Sequence, residues 1–483
     1  MHMKPNGGPM KWIARTDGQE SARPERYRIS RFERPETIGE RLCWKRGGNM
    51  RLVMTVLVLV CVARAQPPAE TVALTHATVI DGTGAAPMAD SLVLVRGGRI
   101  AAVYPAGSRP VPNGARVEDL AGKWVIPGLI DAHVHLPGGN GDVARYRDLL
   151  GRLLLDGVTG LRDMAGDARV LAYLAREARL DAPGWPDIYY SALMAGPAFF
   201  YEDARVPDAS RGVMLGSAPW MRAVDETTDI RMAVAEAKAT GATGVKLYAN
   251  LPAALVKEIA AEAHRQGLLV WTHATVFPAK PSDAVAAGAT TVSHTAYLVW
   301  EAGPHVPPDY GSRAFGDFTH IRPDDPKITA LLEQMKEHGT ILDATLRVFQ
   351  QGAERSPDAF GKGILPWIYA VTRAAHNAGV LVDAGTDSQG LASASQADAG
   401  PAVVDEMILL VEQCGFTPEA AIQAATEVSA MAVGQSAERG TIVPGMAADL
   451  VVLSADPTAD VRNVRKIVEV MKDGRVFRPT QKP

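Results

Sequence analysis

The chain has 483 residues, of which 47% are hydrophobic and 22% charged, and its formal net charge is −4. This composition excludes a disordered or fibrous protein, because it supplies enough apolar side chains for a large core. Residues 1–65 carry 13 Lys and Arg against 6 Asp and Glu, so the rest of the chain from Gln66 carries −11. An acidic main body of this kind has no electrostatic footprint for nucleic acid.

Residues 50–65 have the pattern of a signal peptide. A positive start precedes an apolar run, which ends in the small-residue cleavage box Ala63-Arg64-Ala65. The run is shorter than the ~20 residues that a membrane span needs. We therefore expect a periplasmic or secreted protein that keeps no membrane span after cleavage. Residues 1–49 show no hydrophobic period, and we expect a non-native or disordered extension there, with translation starting at Met50.

The two ends of the remaining chain, residues 66–124 and 437–483, both read as β-rich segments. Gly97-Gly98 in the first and Asp473-Gly474 in the second are tight-turn signals between apolar runs. We therefore expect one discontinuous β-sandwich domain built from both ends. Over residues 125–436, strand patterns alternate with helical patterns, as in βα units. Strands are predicted near 127–135, 157–163, 187–193, 243–249, 268–273, 289–294, 339–344 and 379–386.

Ligand-type side chains lie at the ends of these strands. The first strand ends in His133-Val134-His135, and because strand side chains alternate between faces, the two histidines point the same way and form half of a metal site. Later strands end in further polar side chains, namely Lys246, His273, His294 and Asp387. A (β/α)8 TIM barrel brings such residues together, because its active site lies at the C-terminal face of its strands. The predicted fold class is therefore α/β, a TIM barrel with a small β-sandwich.

The ordered set His-x-His, Lys, His, His, Asp resembles the pattern of the amidohydrolase superfamily over roughly residues 72–476. More narrowly, it is similar to the binuclear members with a carboxylated lysine, of the imidazolonepropionase and prolidase-like type. The resemblance implies two divalent metal ions, with zinc as the expected ion. It implies as metal ligands His133, His135, Lys246, His273, His294 and Asp387.

Lys246 interrupts an apolar strand run, where an unpaired ammonium group is costly. Desolvation lowers the pKa of a lysine, and the neutral amine can react with carbon dioxide. The resulting carbamate is an anionic oxygen ligand that can bridge two metals. The alternative is a lysine paired with a carboxylate such as Asp387, which allows a mononuclear centre.

Three further side chains receive candidate roles. Asp387 is expected to be the catalytic residue that accepts a proton from the nucleophilic water and passes it to the leaving amine. Tyr248 lies two residues beyond Lys246 on the same strand face, and is either an oxyanion donor or part of the barrel rim. Arg347 follows the seventh strand and is a candidate partner for a substrate carboxylate, with a surface role as the alternative. Arg162-Asp163 is expected to be structural.

The sequence thus predicts an exported metal-dependent hydrolase that cleaves the C–N bond of a small substrate, such as a dipeptide or an N-acyl amino acid. The alternative is a binuclear lactonase or cyclic-amide hydrolase. A mononuclear deaminase is disfavoured, since such relatives usually have Glu where Val276 stands. A catalytically inactive structural homologue is the non-enzyme alternative, but no ligand is missing. The exact substrate is not readable from the sequence, and a homo-oligomer stays open.

Overall fold

The computed structural model describes residues 70–136, 143–180, 184–313, 316–356, 363–389 and 401–479. The predicted extension 1–49 and the predicted signal peptide 50–65 lie outside these residues. Among the described residues, no helix has both the length and the apolar content to span a bilayer.

The strands are, in chain order, β1 (Thr71–Val79), β2 (Met88–Arg96), β3 (Arg99–Pro105), β4 (Arg116–Asp119), β5 (Trp124–Pro127), β6 (Leu129–His135), β7 (Val158–Asp163), β8 (Asp187–Ala195), β9 (Ser217–Ala218), β10 (Met221–Ala223), β11 (Gly244–Leu247), β12 (Leu269–His273), β13 (Thr291–Ser293), β14 (Ile341–Asp343), β15 (Val382–Asp383), β16 (Ser388–Gln389), β17 (Leu450–Leu453), β18 (Ile467–Lys472) and β19 (Arg475–Phe477). The α-helices are α1 (Val143–Leu155), α2 (Ala168–Arg179), α3 (Phe199–Glu202), α4 (Val206–Ala209), α5 (Ile230–Ala239), α6 (Ala253–Arg265), α7 (Pro281–Ala286), α8 (Pro326–His338), α9 (Leu346–Arg355), α10 (Ile364–Ala378), α11 (Ala402–Cys414), α12 (Pro418–Gln423) and α13 (Ser429–Ala432). Short 3₁₀ segments cover Thr295–Glu301 and Val461–Arg465, and a π-helical turn covers Ala424–Val428.

Parallel strands form a nearly closed barrel in the order β6, β7, β8, β11, β12, β13, β14, β15. The last strand closes the ring because the chain beyond β15 pairs with the first strand. The amide of Asp387 donates to the carbonyl of His133 at 2.8 Å, and β16 then runs parallel to β6 with Ser388 opposite Val134. Each predicted strand overlaps one of these observed strands, so the predicted (β/α)8 barrel is confirmed.

The two chain ends form one sheet in the order β19-β18-β17-β5-β1-β2-β3, with β4 added to β1. Because β17 pairs with β5, the C-terminal segment is hydrogen-bonded directly to the N-terminal one. The expected β unit from both ends is therefore present as an eight-stranded sheet. Residues of β5, assigned by sequence to the start of the barrel, belong to this sheet. The break falls at Gly128, where an added Cβ would lie 2.3 Å from the Thr159 hydroxyl oxygen.

A buried ion cluster joins the end sheet to the barrel. One guanidinium nitrogen of Arg439 lies 2.5 Å from Asp187 Oδ2, at the start of β8, and 2.5 Å from Asp449 Oδ2, just before β17. Lys472 of β18 also reaches Asp187, at 2.9 Å. None of these side chains is more than 14% exposed. The cations offset the cost of burying two carboxylates, which would be large without them.

Replacing Arg439 with methionine is expected to lower the free energy of unfolding by about 3 kcal/mol, because two buried carboxylates lose a partner. Urea denaturation followed by circular dichroism measures this change. Arg116→Met is the control, since the Arg116–Glu70 pair is 44% and 70% exposed and its loss should cost far less. Equal losses for the two variants would contradict a stabilising role for the cluster.

Candidate active site

The barrel brings the predicted histidines and aspartate together at the C-terminal ends of its strands. The ring centres of His133 and His135 are 5.4 Å apart, those of His133 and His294 are 5.0 Å apart, and those of His273 and His294 are 4.6 Å apart. Asp387 Oδ1 lies 3.1 Å from His135 Nε2 and 3.8 Å from His133 Nε2. Four imidazoles and one carboxylate therefore share one pocket.

Two of these residues have an unusual backbone conformation. His294 and Asp387 have φ values of 75° and 49°, in the left-handed region that side-chain-bearing residues rarely adopt. Thr345 has a φ of 51°, and its hydroxyl lies 2.9 Å from His294 Nδ1. Such strain persists where the surrounding structure fixes it, and it is often found at functional sites. Here the strained backbone occurs at His294 and Asp387, whose side chains lie in the same pocket.

The donor set fits a divalent cation. One ligand atom each from His133, His294 and Asp387 can be chosen so that all lie within 4.8 Å of one another. His273 does not belong to this group, but its buried Nδ1 has no hydrogen-bond partner among the described residues. Burial lowers the pKa of both His273 and His294 well below the ordinary value, so the rings are neutral, as metal ligation requires.

Asp387 is ionised in this pocket. Burial raises the pKa of its carboxyl, but the hydrogen bond with His135 and the surrounding imidazoles outweigh burial and hold the pKa far below its usual range. The carboxylate can therefore act as a ligand or accept a proton at neutral pH.

Lys246 is fully buried in the barrel beside this pocket. Its Nζ donates to Ser293 Oγ at 2.9 Å, and it forms no ion pair with a carboxylate among the described residues. The alternative of a direct pair with Asp387 is therefore not what the structure shows. Burial lowers the pKa of the amine to about 7, and the nearby charge of Arg162 acts in the same direction. A large fraction of the side chain is thus neutral near pH 7.

Sequence reasoning missed the residue that orients His133. Asp343, at the end of β14, lies with Oδ2 2.6 Å from His133 Nδ1, so that the other ring nitrogen faces the pocket. Arg162 donates to the same oxygen at 3.0 Å and stacks over Trp271, with Cζ 5.1 Å from the ring centre. Asp163 accepts the amide of Leu136, so Arg162 and Asp163 are structural, as expected. The position of Asp343 at a strand end was an available signal.

Tyr248 lies against the ligand residues rather than away from them. Its ring centre is 3.9 Å from that of His273. The phenol oxygen accepts a hydrogen bond from Arg205 Nη2 at 2.5 Å and lies 3.4 Å from Tyr310 Oη. Arg205, in the connection after β8, is itself held by Asp203. The proton of the Tyr248 hydroxyl therefore remains available for a second acceptor.

Arg347 is engaged elsewhere. Its side chain is only 10% exposed, which is not a surface position, and Nε donates to Asp405 Oδ2 of α11 at 2.9 Å. Its backbone amide donates to Glu406 at 2.8 Å. Arg347 shares Asp405 with Arg465, and its Nη1 donates to Ser388 Oγ at 3.4 Å, so these contacts within the protein weaken the candidate role toward a substrate carboxylate.

The sequence model of the amidohydrolase family matches residues 124–477, which is more than half of the chain. The protein belongs to the amidohydrolase family. Ochratoxinase of Aspergillus niger is 25% identical over 415 residues, spanning 73% of this chain and 75% of that protein. Imidazolonepropionase of Rhizorhabdus wittichii is 41% identical over only 68 residues, or 14% of this chain and 17% of that protein.

The fold is shared with solved structures. A putative prolidase from Bifidobacterium longum superposes with a TM-score of 0.65 at 26% identity, covering 86% of this amidohydrolase and 97% of that chain. The structure of A. niger ochratoxinase gives 0.67 at 21% identity, covering 86% and 98%. The predicted superfamily is confirmed, and the family and its members support a hydrolase that acts on C–N bonds.

Proposed function

We propose that this amidohydrolase is an exported, metal-dependent enzyme that cleaves the amide or peptide bond of a small substrate, such as a dipeptide or an N-acyl amino acid. The observation that carries the proposal is the convergence of four histidines, Lys246 and Asp387 at one barrel mouth. The likeness to a putative prolidase and to ochratoxinase supports an amide bond as the target.

The residues divide into two ligand groups. In this proposal His133, His135 and Asp387 hold one divalent ion, and His273 and His294 hold the second. When bound, such ions lower the pKa of water to about 7 and polarise a substrate carbonyl. The neutral imidazoles and the ionised carboxylate are the protonation states that such binding needs.

After modification, Lys246 would supply an anionic oxygen ligand to this centre. Its neutral amine attacks the carbon of carbon dioxide, the new N–C bond forms, and one proton leaves, which gives a carbamate with an anionic oxygen pair. The lowered pKa and full burial of Lys246 support this reaction, because they provide the amine in its nucleophilic form.

Asp387 and Tyr248 supply the proton chemistry. Asp387 accepts the proton of the attacking water and delivers it to the leaving nitrogen, so that an amine rather than an amide anion departs. Tyr248 donates a hydrogen bond from its hydroxyl group to the oxygen of the tetrahedral intermediate. Arg205 supports this direction of donation, because it already donates to the Tyr248 oxygen.

Metal analysis of protein produced with and without bicarbonate, followed by a screen of dipeptides, N-acyl amino acids and lactones, tests the proposal. We expect about two zinc ions per chain with bicarbonate, fewer without it, and cleavage of amide substrates. N-terminal sequencing of the exported protein should begin at Gln66. Turnover of lactones alone would favour the lactonase alternative, and full metal loading with no turnover would contradict the proposed activity.

A further inference from the structure

The connection that follows β13 places a guanidinium beside the ligand residues. Arg313 lies flat on Tyr310, with Cζ 3.3 Å from the ring centre, and Nη1 donates to the Tyr310 carbonyl at 2.5 Å. The rings of Tyr310 and Tyr297 lie 5.8 Å and 5.5 Å from the His273 ring. Arg313 therefore lies against aromatic side chains that border His273.

The charge of Arg313 is not balanced. Within the part of the chain that the structure describes, it forms no ion pair with a carboxylate. By contrast, Arg205 donates twice to Asp203, at 2.9 and 2.5 Å, and Arg347 is paired with Asp405. Arg313 is half-buried, where a guanidinium without an anion is costly.

The surroundings of Arg313 also indicate what its partner carries. The Phe199 ring lies 4.7 Å from Tyr248 and 6.0 Å from Tyr310, and Tyr248 lies 5.5 Å from Tyr310. These aromatic rings form a largely apolar wall, with Arg313 against Tyr310 and the paired Arg205 against Tyr248. A planar guanidinium binds a carboxylate through two parallel hydrogen bonds, and aromatic rings pack against apolar side chains. A carboxylate next to an apolar side chain satisfies both features.

We propose that Arg313 binds the free carboxylate of the substrate and thereby selects N-acyl amino acids or dipeptides with an apolar C-terminal residue. This inference rests on the proposed function and deepens it. It assigns to Arg313 the role that the sequence suggested for Arg347, because Arg347 is already paired while Arg313 has no carboxylate partner among the described residues.

The test compares N-acetyl-L-phenylalanine with its primary amide, which differ only in the charge of the carboxyl group. Release of acetate gives kcat/KM for the metal-loaded enzyme, and calorimetry gives the affinity of each compound for the metal-free protein. The variants are Arg313→Met, which keeps the apolar stem, and Arg313→Lys, which keeps the charge but cannot form the two parallel hydrogen bonds of a guanidinium. Arg322→Met is the matched control, because Arg322 lies on the same connection and is 77% exposed.

We expect the wild-type enzyme to prefer the acid by about 30-fold in kcat/KM, and Arg313→Met to lose this preference through a higher KM for the acid alone. Arg313→Lys should be intermediate and Arg322→Met unchanged. An equal loss for acid and amide, or no wild-type preference, would overturn the inference. An enzyme that cleaves neither compound nor any other amide would refute the proposed function. In that case calorimetry still tests the role of Arg313. If Arg313→Met bound N-acetyl-L-phenylalanine as tightly as the wild-type protein does, the assignment of Arg313 would be overturned.

Discussion

Replacing Lys246 with alanine is expected to lower kcat/KM about 1,000-fold and to reduce the metal content from about two ions per chain to one or fewer. In the proposed mechanism Lys246 supplies anionic carbamate oxygens to the centre, and the variant cannot form them. Four imidazoles and one carboxylate would then have to hold two divalent ions. Steady-state kinetics and elemental analysis on the same preparation measure the two effects together.

Two further variants separate the modification from packing. Lys246→Met keeps nearly the same volume in the barrel, so it should retain the fold and lose as much metal and activity as the alanine variant. Lys238→Ala, on helix α5, removes an exposed lysine and should behave like the wild-type enzyme. Formate or acetate should partly restore the alanine variant alone, since a small carboxylate fits the space that it opens. A Lys246→Met enzyme with two ions and normal turnover would show that the carbamate is not needed.

The convergence of the histidines could be predicted because a barrel strand obeys a simple rule. Side chains two residues apart on a strand share a face, so His133 and His135 point the same way. The C-terminal ends of the barrel strands meet at one mouth, so His273 and His294 lie near them. Asp343 also lies at the end of a barrel strand, but its role is to orient the ring of His133, and the sequence pattern does not indicate that role. Its carboxylate lies 2.6 Å from His133 Nδ1, a contact that no sequence spacing indicates.

The substrate side of the pocket could not be predicted in the same way. Arg205 and Arg313 lie in connections between barrel strands, where no periodicity relates a residue to its direction. The two guanidinium groups differ in their ion pairing, which depends on contacts made only in the folded chain. Asp203 pairs with Arg205, and no described carboxylate pairs with Arg313. Arg347 was a reasonable candidate by position, but the helix α11 that follows far along the chain supplies Asp405 as its partner.

The Asp387→Asn variant is expected to lose about 1,000- to 10,000-fold in kcat with a KM that changes only a few-fold. The amide oxygen can still contact an ion, so substrate binding and part of the metal content should survive. The amide cannot accept the proton of the attacking water, however, and therefore cannot return it to the leaving nitrogen. In the wild-type protein the pKa of Asp387 is held far below its usual range, so the carboxylate is fully ionised at neutral pH.

Substrates with better leaving groups sharpen this test. An anilide whose nitrogen leaves without full protonation should be cleaved by Asp387→Asn with a smaller loss than an alkyl amide, because delivery of the proton contributes less to its transition state. Ser388→Ala is the neighbouring control and should retain most of the activity, since the Ser388 hydroxyl hydrogen-bonds Thr386 and Arg347. The variant could instead lose the same factor in activity toward both substrates, in proportion to the metal that it loses. Asp387 would then act only as a metal ligand, and another group would have to carry the proton.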